Sequence, residues 1–264
     1  MAESISPKAK VTLYWLEQSR SQRIVWLLEE CKGIDYTIKT YKRGKDMLAP
    51  KELKDIHPLG KSPVIKVECP TSEPIVLAES GAIVEYLCDH FAPHLVPKRY
   101  QDGKDGEVGG DTEQWLRYRF YMHYAEGSLM TMLIIALIMD PFGPAKWSAE
   151  IKNAPVWFFI KPITQGIASR VENMFLTKNF KTNFGFLESQ IQSSPDDGTY
   201  LCGKDITAAD ILMSFPLIAG KGKIDRNAYP KLAEYTKMLE ENEVYQRSIK
   251  KAEEASGEPY KAML

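Results

Sequence analysis

The segment KVTLYWLEQSRSQRIVWLLEEC, residues 10–31, changes from one structural pattern to another within a few residues. Lys10–Trp15 is β-branched and aromatic, the composition of a short strand. Ile24, Leu27, Leu28 and Cys31 then recur at i, i+3, i+4 and i+7, one face of a helix that Gly33 stops. Ser19 falls near the start of that helix. Unpaired N–H groups and the positive end of the helix dipole lie there, and both stabilise an anion. Ser19 or Ser21 can equally serve as a plain N-cap, so the pattern leaves two readings open.

Outward from this segment the alternation continues. Tyr36–Tyr41 alternates like a second strand, and residues 45–56 form a weaker, more polar helix candidate. Pro63–Val67 and Ile75–Leu77 read as short strands joined by a turn rich in Pro, Thr and Ser. Ser80–His90 is helical again, with Ile83, Val84, Leu87 and Phe91 on one face. Residues 98–111 are polar, hold four glycines and read as a linker or exposed loop. Beyond them the pattern is helical. One long helix is expected over Thr112–Met139, with a break at Asp140–Pro144. A second spans 155–192, with Ile167, Val171, Met174 and Phe175 on one face, and further helices start near Thr207, Pro230 and Val244. The expectation is a small α/β unit followed by an all-α unit, divided as 1–92, a linker at 93–110, and 111–264.

Composition narrows the class. Of 264 residues, 44% are apolar and 26% charged, which excludes disorder and lets the chain bury its own core. Lys plus Arg is 34 against 35 for Asp plus Glu, so there is no basic footprint for nucleic acid. Cys31, Cys69, Cys88 and Cys202 form no CxxC pair, and with four His they give no zinc-ligand spacing. Scattered thiols fit a reducing compartment. No signal-peptide core is present at the N-terminus, and the apolar run at 129–139 is shorter than the roughly 20 residues a bilayer span needs. The expectation is a soluble cytoplasmic protein, with peripheral membrane attachment through 129–139 left open.

Three more segments carry polar groups at element ends. In HPLGKSPV, residues 57–64, Pro63 cannot donate to a sheet ladder and belongs at a strand's first residue. A cis bond before it turns backbone groups outward toward an extended ligand; an ordinary loop is the alternative. In Leu77-Ala78-Glu79-Ser80 a strand runs into a helix. There Glu79 can hold an ammonium while Ser80 and the helix N–H groups hold a carboxylate; simple capping is again the alternative. Ile206-Thr207-Ala208-Ala209-Asp210-Ile211 reads as a capping box with a hydrophobic staple. That segment is structural, with Ala208, Ile211, Leu212 and Phe215 as the buried stripe.

Taken in order and spacing, Ser19 at the strand–helix junction, residues 57–64, residues 77–80 and residues 206–210 resemble the cytosolic glutathione transferases over nearly the whole chain. Ser19-Arg20-Ser21-Gln22-Arg23 with Trp26-Leu27-Leu28-Glu29-Glu30 is similar to a fungal and bacterial branch of that family. The resemblance implies a thioredoxin-like first domain with a mixed four-stranded sheet and a helical-bundle second domain. It implies glutathione as co-substrate, its thiolate attacking a small apolar electrophile, and a homodimer. Ser19 matches the family's catalytic serine. Lys61 would hold the glycyl carboxylate, the backbone of Ser62 the cysteinyl unit, and Glu79 with Ser80 the γ-glutamyl end. Ser62 stands where many members carry Val, and Ser21 and Arg20 lie close enough to Ser19 to compete for the sulfur. No Cys occupies this region, which disfavours a mixed disulfide on the protein. Tyr118 and Tyr124 are candidates for the electrophile pocket, with core or dimer packing as the alternative. A peroxidase or disulfide reductase at the same site, and a non-catalytic ligand carrier, remain as other readings of the resemblance.

Overall fold

A computed structural model describes residues 8–70, 72–139 and 176–262. The first half holds β1 (Ala9–Leu16), α1 (Gln22–Glu30), β2 (Ile34–Tyr41), α2 (Leu53–Ile56), β3 (Val64–Glu68), β4 (Ile75–Ala78) and α3 (Ser80–Phe91). The strands form one sheet in the order β2-β1-β3-β4. β1 and β2 are parallel, and β3 runs antiparallel to both β1 and β4, so the sheet is mixed as expected. Only Leu53–Ile56 of the expected 45–56 helix is helical. The preceding stretch is instead held by turns, with Gly44 N–H donating to Leu48 O at 3.0 Å.

Alternation sorts the sheet's side chains. Val11, Leu13 and Trp15 of β1, with Ile65 and Val67 of β3, join the main core beneath α1 and α3. Tyr14 and Val64 face the other way, into a small cluster with Leu53 of α2. Helix α1 is buried from Gln22 to Leu28, polar residues included. It lies between the sheet and helices of the second half, and each of its fully buried aliphatics contributes roughly 1.5–3 kcal/mol.

The second half is helical in every described element: α4 (Glu113–Tyr124), α5 (Thr131–Met139), α6 (Thr177–Gln192), α7 (Ala208–Ala219), α8 (Pro230–Glu241) and α9 (Glu243–Ser256). The loop before it is ordered rather than slack. Gly103, Gly106 and Gly109 take positive φ in successive turns, and Gln101 N–H donates to Gly110 O at 2.8 Å. The expected single helix 112–139 is interrupted by a π turn at Ala125–Met130. The Thr131 hydroxyl donates back to Glu126 O at 3.0 Å across that wide turn. The expected break at 140–144, and the stripe Ile167, Val171, Met174 and Phe175, lie outside the described residues. Within the expected 155–192 pattern, the described helix begins at Thr177.

One buried proline helps join the halves. Pro216 has no N–H to give to Leu212 O four residues back in α7. Arg23 Nη1 of α1 donates to that freed carbonyl at 2.7 Å. Nearby, Asp210 is fully buried and accepts from Leu201 N, Thr207 N, the Thr207 hydroxyl and the Tyr235 hydroxyl, at 2.6–3.0 Å. The expected capping box is therefore present, and the Thr207 hydroxyl also gives its proton to the Asp210 carboxylate. Burial pushes the Asp210 carboxyl up, and these hydrogen bonds oppose the shift. Asp210→Ala leaves four donors without their partner. It is expected to cost about 3 kcal/mol or more, read as a lower urea midpoint with an unchanged slope.

Candidate active site

The sheet register brings four loops to one edge. Tyr14 pairs with Val64, and Val64 pairs with Ala78, so these three residues form one row across β1, β3 and β4. Just past that row lie the 17–21 loop, Ser62–Pro63 and Glu79–Ser80. Leu16 pairs with Tyr41, which delivers Arg43 to the same edge. The Ser62–Pro63 bond is cis. Glu79 opens α3 with φ 70° and an exposed side chain, and no side-chain bond caps the helix. A positive φ at a non-glycine residue costs of order 1–3 kcal/mol and is concentrated at functional sites.

Three hydroxyls form a chain at this edge. Ser19 Oγ donates to Leu16 O at 2.7 Å, and Ser62 Oγ donates to Tyr14 O at 2.7 Å. Ser21 Oγ lies between them, 2.8 Å from Ser19 Oγ and 2.5 Å from Ser62 Oγ. Carbonyls only accept, so Ser19 and Ser62 have committed their protons. Ser21 has one proton for two acceptors. If Ser19 turned its proton toward an anion, the Ser21 proton could follow it and only Leu16 O would lose its donor. Neither serine caps α1 through its side chain; the Ser21 carbonyl accepts from Ile24 and Val25 instead.

Ser19 is 7% exposed and lines a cleft of about 280 Å³ between the halves. Arg20, Arg43, Lys61 and Ser62 share the wall, and Met130, Ile134, Leu137 and Phe215 form an apolar side contributed by the helical half. Ser21 is fully buried and does not line it. The Arg43 guanidinium donates to Glu17 O, Gln18 O and Met47 O at 2.9–3.2 Å. It thereby ties down two left-handed residues, Gln18 (φ 47°) and Met47 (φ 61°). Burial lowers the Arg43 pKa, with Glu17 opposing the shift.

Of the residues singled out in the sequence, Ser19, Lys61 and Ser62 come together in the cleft, while Glu79 and Ser80 sit beside it at the same sheet edge. Tyr118 and Tyr124 are not among the residues that line it, and the packing alternative describes both. Tyr118 is buried and stacked on Trp115, and the Tyr124 hydroxyl donates to Asn183 Oδ1 at 2.6 Å. The apolar wall lies farther along the same helical run. Met130, Ile134 and Leu137 stand at i, i+4 and i+7, a signal present in the sequence but weighed there only as an apolar run too short to span a bilayer. Arg43 and Glu126 left no local signature.

Residues 19–90 match the family model described as the glutathione S-transferase N-terminal domain. The chain is 32% identical over 246 residues to glutathione S-transferase 1 of Saccharomyces cerevisiae, covering 92% of this chain and 95% of that protein. Glutathione S-transferase 3 of Schizosaccharomyces pombe is 26% identical over 245 residues, covering 92% and 88%. Among solved structures, a glutathione S-transferase from Actinobacillus pleuropneumoniae superposes with a TM-score of 0.61 at 28% identity, covering 91% and 92%. The chain belongs to the glutathione S-transferase family.

No cysteine of the chain lines the cleft. Burial pushes the Cys31 thiol up to about 12 and pushes Cys88 and Cys202 up as well. Iodoacetamide at neutral pH is therefore expected to modify Cys69, which is half-buried, ahead of the other three. Peptide mass spectrometry follows the order, and glutathione binding is expected to survive the first modification. Loss of binding at that stage would place a protein thiol in the site.

Proposed function

We propose that this chain is a transferase that conjugates the thiolate of glutathione to small apolar electrophiles. The observation that carries the reading is Ser19, a hydroxyl with a replaceable proton partner, in a cleft with cations on one side and an apolar wall on the other. A free thiol has a pKa of about 8.5 and is mostly protonated at pH 7, and each unit of lowering takes about 1.4 kcal/mol. Ser19 supplies part of that by turning its proton from Leu16 O to the sulfur, with Ser21 donating to Ser19 in turn. Lys61 holds the glycyl carboxylate, the Ser62 backbone the cysteinyl unit, and Glu79 with Ser80 the γ-glutamyl end. The electrophile lies against Met130, Ile134, Leu137 and Phe215.

The division into a glutathione-binding unit at 1–92, a connector at 93–110 and a helical unit at 111–264 belongs to the same reading. So does membership of the fungal and bacterial branch, supported by the 19–23 motif and by relatives from two yeasts and a bacterium. A cytoplasmic location is supported by four unpaired thiols. Among the described residues no helix is long and apolar enough to cross a membrane. A homodimer is supported by the exposed Ile75 and Val76 on edge strand β4 and by Leu116 and Phe120 on α4. Light scattering at micromolar concentration is expected to give twice the chain mass; the mass of one chain would remove the dimer.

Steady-state kinetics separate binding from chemistry. Glu79 acts on the end of glutathione remote from sulfur, so Glu79→Gln is expected chiefly to raise KM for glutathione. Ser19 touches the atom whose charge changes. Ser19→Ala is expected to lower kcat about ten- to a hundredfold, the equivalent of roughly 1.5–3 kcal/mol. It is also expected to raise the bound thiol's pKa in an ultraviolet titration. An unchanged rate and pKa would reduce Ser19 to a structural hydroxyl. Parallel rates with aryl halides, organic hydroperoxides and mixed disulfides test conjugation against the reductive alternatives.

A further inference from the structure

The π turn at Ala125–Met130 does more than bend a helix, because it presents Glu126 to the first half of the chain. Glu126 Oε1 accepts from Arg23 Nη2, and Oε2 lies 3.2 Å from Arg20 Nη1. Arg23 Nε in turn donates to the Arg20 carbonyl at 3.3 Å. The backbone and the side chain of Arg20 are therefore both held by one cluster, of which only Arg23 is fully buried. Two guanidinium groups share one carboxylate, so the cluster carries a net positive charge. Arg23 is sealed in the interior, and Arg20, about one-third exposed, is the member that lines the cleft with Ser19.

We propose that Glu126 is a positioning residue of the thiol site: it fixes the Arg20 guanidinium at the cleft wall, where that cation stabilises the bound thiolate together with Ser19. The inference rests on the reading of the cleft as the glutathione site and adds a device within it. The helical half then contributes to thiol activation as well as to the electrophile's wall. Lys61 and Arg43 also line the cleft, and Glu17 lies against Arg43. Arg43 is pinned by three carbonyls and Lys61 is exposed, while Arg20 alone of the three pairs with Glu126, so Arg20 is the cleft cation whose placement Glu126 controls.

The sign of one measurement tests this. Removing a carboxylate only as a nearby negative charge makes the site more positive and lowers the pKa of a bound thiol. Removing it as the holder of Arg20 lets the guanidinium swing away and raises that pKa. The full-length protein is titrated with bound glutathione by ultraviolet absorbance, in the wild type and in Glu126→Gln, Arg20→Gln and the double variant. Arg20→Gln leaves the Arg23–Glu126 pair intact. Both single variants are expected to raise the thiol pKa by about one unit and to lower the neutral-pH rate with an aryl halide about tenfold. The double variant is expected to be no worse than Arg20→Gln, as required of residues acting through one another. A fall in pKa for Glu126→Gln, or effects that add in the double variant, would overturn the proposal. Should Glu126→Gln fail to fold, Glu126→Asp takes its place. An unchanged pKa in Arg20→Gln overturns the proposal in either case. A wild-type protein that binds no glutathione, or leaves its thiol pKa near 8.5, would instead count against the functional reading itself.

Discussion

Arg23 is a guanidinium with no exposed surface, placed where the sheet half meets the helical half. A buried charge is tolerated only when its donors are met and a counter-charge is near. Arg23 obtains its counter-charge, Glu126, and the carbonyl of Leu212 from the second half of the chain, while Arg20 O takes its Nε proton; its guanidinium also lies 5.6 Å from the Phe215 ring centroid. Burial lowers its pKa to about 10, with Glu126 opposing the shift, so it remains charged at neutral pH. Separating the halves would leave a cation, a carboxylate and the carbonyl freed by Pro216 without partners. The docking of the halves, and hence the cleft between them, depends on this cluster.

The cleft divides its labour along that junction. The sheet edge supplies polar groups on short loops, and it supplies them in conformations the chain resists: positive φ at Gln18, Met47 and Glu79, none of them glycine. Arg43 holds the first two by hydrogen bonds to their carbonyls. The helical half supplies the apolar side and, through a π turn, the anion that reaches back to Arg20. A site split in this way presents polar and cationic groups on one wall and an apolar surface on the other.

The Ser19–Ser21–Ser62 chain shows how fold and chemistry can share atoms. With no anion present, its protons bond the loop to the ends of the sheet and help place the Ser62–Pro63 segment. Because Ser21 has two acceptors and one proton, the chain can be rearranged at the cost of a single bond to Leu16 O. A serine with a fixed, fully matched partner would resist giving its proton to an anion. Ser62 is the residue that extends this chain to Tyr14 O.

Local chemistry made much of the fold legible in the sequence. Strand composition, alternation at residues 36–41 and turn residues between short runs located all four strands to within two residues at each end, and the stripe Ile24, Leu27, Leu28 located α1. Pro63 marked the start of a strand, and Thr207 with Asp210 marked a helix start. Those signals depend on residues near one another along the chain, where turn geometry and side-chain spacing act directly. Ser19 was legible as a site candidate for the same reason, since it sits where a strand gives way to a helix, whereas Lys61 and Ser62 were named only through the family resemblance. The short α2 and the π turn were not legible, because the pattern at 45–56 is weak and polar, the apolar pattern runs unbroken through 125–130, and only hydrogen bonding decides where a helix starts or widens. The cleft's apolar wall and the Arg20–Glu126–Arg23 cluster lay further still from view. Tyr118 and Met130 are both apolar positions on one helical run, and nothing local tells which faces the core and which the cleft. Glu126 is 103 residues from Arg23; no periodicity reaches that far, and only the packing of α1 against α7 and the π turn brings the two charges into contact.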